Sequence, residues 1–516
     1  ETDNYIEHII STITPYFICH HFISDELFTM DKRYKLPQLL KKNNIQITAN
    51  NLLKNKNYST INNYDIITCQ VNRFNYFYNN ILPIIKQNNI KIILITCQSH
   101  GPAITLSKLS NECLNCENIM LWVSQNPIYK NNNKYMGIPY GLEPNFVNKY
   151  INFIKNNNII KKHNILNLPV RVHNHLPINH IRKAYPILGI NSGEVIEDYN
   201  KFIEKISETE FLISTSGDRK GAHRHCECIG LKTIPVSDID YEEVFENNMI
   251  YSFGEEMVGM INNGIVNHKY ISPNRDILTV QYWVNKINLR IDSLKYKNIT
   301  LSEWQIMYKP IENLIVQASI TNSTSKNEHW DFSIGMNHRY LLLSNEIQKK
   351  IQFGNHNNLV LCALNLDTDS KGRRKRDKKN RRSIMKTLEK NKINNIYLDS
   401  NDYFNNLSDY KFVISPEGNG IDCHRHYEAL LSGCIPIIEN NNYMERKYAN
   451  LPILWTNDYS EITSEYLVKK YDEFINEKYD FSKLFLSNHT SENISKIKEF
   501  SNYWCLKSQK KVFYKD

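Results

Sequence analysis

Phe412-Val-Ile-Ser-Pro-Glu-Gly-Asn-Gly-Ile-Asp-Cys-His-Arg-His-Tyr-Glu428 decides the fold. It opens as a short apolar run, and Pro416, Gly418 and Gly420 keep its middle from being helical. Its end runs into Ala429, Leu430 and Leu431, as a helix would. The order predicts strand, loop and helix, and Gly433-Cys-Ile-Pro-Ile-Ile438 predicts the next strand. Such a unit belongs to an α/β fold, where ligands bind beyond the carboxyl ends of parallel strands.

The same pattern stands 201 positions earlier, as Phe211-Leu-Ile-Ser-Thr-Ser-Gly-Asp-Arg-Lys-Gly-Ala-His-Arg-His-Cys-Glu227. The spacing is kept from Asp198 and Asp399 through to Ile234-Pro235 and Ile435-Pro436, without a gap. A match of that length marks an internal repeat. Both copies close on an aromatic pair, Tyr282-Trp283 and Tyr503-Trp504, so the second has gained about twenty residues after Pro436. The expected organisation is an amino-terminal lobe over 1–150, a first repeat over 151–290, a truncated lobe or connector over 291–350, and a second repeat over 351–516. In the first lobe, strands are expected at Tyr16–Cys19, Asp65–Cys69, Lys91–Thr96 and Ile119–Val123, with a turn-rich exit over Met136–Pro144. Further elements are expected at Leu359–Leu366 (strand), Ser383–Leu388 (helix) and Lys411–Ile414 (strand).

The repeated segment has the chemistry of an anion site. Glycines let backbone N–H groups approach a ligand, and a helix start favours negative charge. Arg425 offers a planar fork suited to a diphosphate, and His424 or His426 can donate one more bond. Glu428 lies on the same helix face as Arg425 and can accept two hydroxyl bonds, as holding a ribose requires. The competing reading is an Arg–Glu ion pair that only caps the helix.

The pattern Phe-x-Ile-Ser-x-x-Gly…His-Arg-x-x-Glu…Gly-x-Ile-Pro resembles the donor half of exostosin-like glycosyltransferases and related transferases of large DNA viruses. The resemblance covers roughly thirty residues of each copy. It implies two facing Rossmann-like lobes, the GT-B arrangement, with the nucleotide sugar on the carboxy-terminal lobe. By position it places Gly418, Gly420, His424, Arg425 and Glu428 at the donor in the second copy, and Gly217, His223, Arg224 and Glu227 in the first. The first copy departs from it: Thr215, Ser216, Asp218 and Arg219 replace Pro416, Glu417, Asn419 and Gly420, and Lys232 replaces Gly433. Binding is therefore expected to be tighter in the second copy.

The basic run Lys371–Arg382 admits three readings: a solvated loop, a nucleic-acid or nuclear-address patch, or a reach by Arg381 or Arg382 to the diphosphate. Arg182, at a similar distance before the first copy, favours the last. Inverting transfer needs a base for the acceptor proton, and His100, His20 and His21, after predicted strands, are the candidates. Asp238-Ile-Asp240 and Asp367-Thr-Asp369 lie in loops with no further ligand nearby, so positive side chains rather than a metal are expected to stabilise the leaving group. No cofactor is expected beyond a UDP- or GDP-linked donor, and the acceptor is a glycan or glycoprotein.

With 41% apolar and 23% charged residues and cations exceeding anions by 9, the chain reads as globular, suited to acidic ligands and too weakly basic for nucleic acid to be the expected partner. No run of 18 apolar residues predicts a membrane span. Eleven scattered Cys suggest reduced thiols and a cytoplasmic setting, the host's if the AT-rich residue usage is viral; zinc or redox chemistry at Cys113–Cys116 has no second pair to support it. The alternatives are a non-catalytic nucleotide- or glycan-binding protein and, ranked last, a basic nucleic-acid-binding protein.

Overall fold

The computed structural model describes residues 4–25, 36–97, 105–125, 127–167, 196, 198–215, 222–240, 242–246, 248–265, 274–319, 330–368 and 380–514. The chain divides into two compact units, 1–291 and 292–516. Both are mixed α/β with parallel sheets.

The first unit holds two sheets. Strands β1 (His21–Ile23), β2 (Asn50–Asn51), β3 (Ile66–Gln70), β4 (Ile92–Cys97), β5 (Ile119–Gln125) and β6 (Tyr135–Ile138) pair in the order β2-β1-β3-β4-β5-β6, all parallel. The β4 run Ile-Ile-Leu-Ile-Thr-Cys is buried throughout, as a strand covered on both faces must be. Trp122 anchors the core: its ring stacks on Phe74 at 5.5 Å and its indole N–H donates to Thr96 Oγ1 at 2.9 Å. The second sheet, also parallel, runs β7 (His163–Asn167), β8 (Thr209–Ile213), β9 (Ile234–Ser237) and β10 (Ile250–Tyr251) in sequence order.

The second unit pairs β11 (Lys297–Thr300) antiparallel with β16 (Lys478–Asp480). Its main sheet is β12 (Asn358–Leu361), β13 (Tyr410–Ile414), β14 (Ile435–Glu439) and β15 (Leu454–Thr456), parallel and in sequence order. Residues from the 291–350 stretch belong to this unit's core. Trp304 stacks on Phe481 at 4.3 Å and donates its indole N–H to Leu430 O at 2.8 Å.

Three local expectations fail for local reasons. Thr14–Phe17 is a helix with Pro15 in its first turn, where a fixed φ and a missing N–H are tolerated, so the strand begins later, at His21. Tyr135–Ile138, expected as turn, is the buried edge strand β6, and Gly137 lets Pro127 and Val244 approach it. The strand expected over Leu359–Leu366 ends at Leu361. Among the described residues no helix is long and apolar enough to cross a membrane.

Candidate functional site

The two matching segments carry the same elements at the same spacing along the chain. The strands Thr209–Ile213 and Tyr410–Ile414 have matching bounds at 201, as have the helices His223–Gly230 and His424–Leu431. Pairing to the next strand also agrees: Leu212 faces Pro235, and Val413 faces Pro436. Asp198 and Asp399 both cap the preceding helix, accepting from Lys201 N–H at 2.9 Å and Asp402 N–H at 2.8 Å.

The first histidine of each helix is held alike. His223 Nδ1 meets Gly141 O at 2.7 Å, and His424 Nδ1 meets Gly335 O at 2.7 Å. A carbonyl only accepts, so each Nδ1 carries the proton and Nε2 is the acceptor of the neutral ring. Burial depresses the His424 pKa, against the pull of the Gly335 carbonyl. Both glycines take positive φ, +80° and +72°, and a side chain there would overlap the carbonyl of Ile10 or Ile315.

One turn into each helix lies a buried carboxyl. Burial pushes Glu227 and Glu428 up to about 7, opposed in each case by the arginine three residues earlier. Tyr199 donates its hydroxyl to Glu227 Oε1 at 3.1 Å, while Asn337 N–H reaches Glu428 Oε1 at 3.4 Å. Tyr150 braces the first helix by donating to the Glu227 carbonyl at 2.5 Å. Neither arginine makes a salt bridge to its glutamate among the described residues, so the capping ion pair that competes with a ligand role is not formed. A carboxyl pushed up by burial can accept from a hydroxyl when ionised and donate to one when protonated.

The two copies differ in what their cations and loop amides already hold. Arg425 donates Nη2 to Ala363 O at 2.8 Å and lies 5.6 Å from the Tyr403 ring centre. Arg224 makes no hydrogen bond or ion pair among the described residues. In the second loop Glu417 N–H donates to Glu439 Oε2 at 3.2 Å and Gly418 N–H to Gly420 O at 3.0 Å. Gly418 makes room for Arg381: a Cβ would stand 3.1 Å from Arg381 Nη2, whereas Gly420 borders open space.

Several sequence assignments move. Arg381 is buried and donates to the carbonyls of Glu417 at 2.9 Å, Pro416 at 3.1 Å and Asn365 at 3.1 Å, tying the loop. Arg382 points to the surface and pairs with Asp367 at 2.6 Å. His426 is fully buried, with both ring nitrogens bonded inside the protein, to Ser415 Oγ at 2.7 Å and Ile421 O at 3.2 Å, and burial lowers its pKa to about 4. Its counterpart His225, also lowered to about 4 by burial, bonds Ser237 Oγ at 2.9 Å. Gly433 is a helix terminator at φ +79° packed on Gln305, and Lys232 adopts the same left-handed turn at φ +54°.

His20 and His21 stand at the amino edge of the first sheet, not the carboxyl edge, because β1 begins only at His21. His21 Nε2 bonds Asp65 Oδ2 at 3.0 Å and His20 Nδ1 accepts from Ile66 N–H at 2.9 Å. Neither faces the crevice side of the sheet. His100, Arg182, Gly217 and the run 371–379 lie outside the described residues.

The carboxyl edge holds residues that the sequence reading passed over. Gln125, at the end of β5, donates to Ser11 O at 3.2 Å and to Tyr140 O at 3.5 Å, next to the carbonyl that holds His223. Gln125 Oε1, Ser11 Oγ, Ser214 Oγ and Thr215 Oγ1 are buried with no hydrogen-bond partner among the described residues. Buried orphan polar atoms are costly, and a ligand can satisfy them. Their signal in the sequence was a Gln closing an apolar strand. Among the described residues no group of three or more metal-ligating side chains is gathered. No protein-family model matches the chain, and no curated protein matches it.

Proposed function

We propose that the chain is a glycosyltransferase that moves a sugar from a UDP- or GDP-linked donor to a hydroxyl of a glycan or glycoprotein. In this reading the first unit is a GT-B-type pair: residues 1–150 receive the acceptor, and 151–290 hold the donor. Residues 351–516 form a second donor-type lobe. The observation that carries the reading is Glu227, buried with its carboxyl pushed to about 7, one turn after an uncommitted Arg224. Holding a carboxyl above its ordinary range costs stability at neutral pH, which is why such groups gather at functional sites. The orphan polar atoms around Ser11, Gln125 and Ser214 mark the same place.

The acceptor oxygen attacks the anomeric carbon opposite the diphosphate, and its proton passes to a base. The bond from that carbon to the diphosphate oxygen breaks, and its electron pair leaves with the diphosphate, whose charge Arg224 meets. Glu227 holds the ribose, and His100 is left as the nominee for the base. Inversion follows from this single displacement, and no metal is required by it. Eleven free thiols fit a reducing, cytoplasmic setting.

The test is release of free nucleotide from a panel of UDP- and GDP-sugars with glycan acceptors. One donor is expected to be consumed, in the presence of a chelator, and Arg224→Ala to slow it about 10²-fold, the effect of losing one charge-stabilising donor. A chain that neither binds UDP or GDP nor releases them from any donor is not this enzyme.

A further inference from the structure

The two units enter and leave their repeats through the same backbone bracket. In the first, Ile9 bridges Thr279 antiparallel and Ser11 bridges Leu142 parallel, with Leu142 N–H on Ile10 O at 2.9 Å. In the second, Leu314 bridges Phe485 antiparallel and Val316 bridges Met336 parallel, with Met336 N–H on Ile315 O at 2.8 Å. The residue before each parallel bridge is the positive-φ glycine whose carbonyl holds the helix histidine. Between these matched points the first unit interposes residues 12–141, including its whole six-stranded sheet, whereas in the second the interval is only nineteen residues, 317–335.

The second unit thus keeps the donor-type lobe, and among its described residues no sheet stands in the place where the first carries an acceptor lobe. It also keeps the ligand chemistry. Glu428 is buried, Arg425 stands one turn before it, and the nine-tenths-buried Tyr403 hydroxyl lies beside both. What it has given up is part of its uncommitted positive charge: one terminal nitrogen of Arg425 and the loop amides of Glu417 and Gly418 are already bonded within the protein, and Arg425 Nε is the donor left buried without a partner among the described residues. Leaving-group departure needs such donors aimed at developing charge, whereas holding a nucleoside does not.

We propose that residues 292–516 form a second site that binds a nucleoside diphosphate, or its sugar conjugate, without transferring the sugar. This rests on the glycosyltransferase reading of the first unit. The ligand's ribose hydroxyls bond Glu428 and Tyr403, and transfer occurs in 1–291 alone.

Calorimetric titration of the full chain with UDP and with GDP, alongside nucleotide-release assays, tests it. Two equivalents of one nucleotide are expected per chain. Arg224→Ala is expected to cut turnover at least 100-fold and leave one equivalent bound; Arg425→Ala added to it weakens that remaining binding at least tenfold. Arg224→Lys, which keeps the charge without the planar fork, serves if the alanine variant does not fold. Turnover that survives Arg224→Ala and disappears on adding Arg425→Ala overturns the proposal. So does a single equivalent that Arg224→Ala abolishes. Absence of both binding and release in the unaltered chain overturns the glycosyltransferase reading itself, and this inference with it.

Discussion

Replacing Glu227 by Gln separates a carboxyl kept for a ligand from one kept for the fold. Burial raises its pKa from the ordinary 4.5 to about 7. The folded state therefore binds a proton that the unfolded chain has already released, and stability falls as pH rises from 4.5 through 7, then levels off. At ~1.4 kcal/mol per pH unit, the full cost is about 3 kcal/mol. Glutamine never ionises and keeps an oxygen for the Tyr199 hydroxyl, but its NH₂ is left without a partner, at about 1–2 kcal/mol. The variant should be less stable than the unaltered chain by about that amount at pH 4 and more stable by ~1–2 kcal/mol at pH 8.5. Two compact units need not unfold together, so the readout is the urea midpoint of residues 1–291, followed by proteolysis across pH. Nucleotide binding should weaken while stability at high pH rises, the trade-off of a functional site. A variant less stable at every pH, by an unchanging amount, would refute the argument and make Glu227 a structural anchor.

Arg381→Ala removes three bonds to carbonyls of the second loop and should destabilise 292–516 by about 2–4 kcal/mol, read from its urea midpoint; a change below 0.5 would mean the loop holds itself. Lys447→Met leaves Asp422 buried with only Tyr448 and Ile334 N–H as partners, against a Lys447 contact of 3.0 Å, and should cost ~3–5 kcal/mol. Burial alone would raise the Asp422 pKa, but Lys447, His426 and Tyr448 hold it below the usual range, so this contribution is present above about pH 4 and is lost as pH falls further. Lys232→Gly relieves a left-handed residue and should stabilise 1–291 by up to ~1 kcal/mol, while Gly433→Ala, at φ +79° and with its new Cβ 2.7 Å from Gln305, should destabilise 292–516 by at least as much; effects of the same sign, or none in either, would contradict the shared turn.

The sequence by itself determined the periodic part of the molecule. Buried parallel strands such as Ile92–Cys97 are legible because burial on both faces demands an unbroken apolar run, and the two strand–loop–helix segments because their glycines, prolines and caps act locally. It also placed Arg and Glu on one helix face, since that follows from helical geometry alone. The tertiary structure decided which of those groups remain available to a ligand. Arg381 and His426 looked like phosphate donors in one dimension, yet their bonds go to Glu417, Pro416, Ser415 and Ile421, partners fixed only when the loop folds back. The edge of the sheet on which His20 and His21 stand depended on where β1 begins, which Pro15 shifted. The bracket shared by Ile9–Ser11 and Leu314–Val316 was invisible for the same reason: a single backbone bridge between segments far apart in sequence imposes no pattern on the residues that form it.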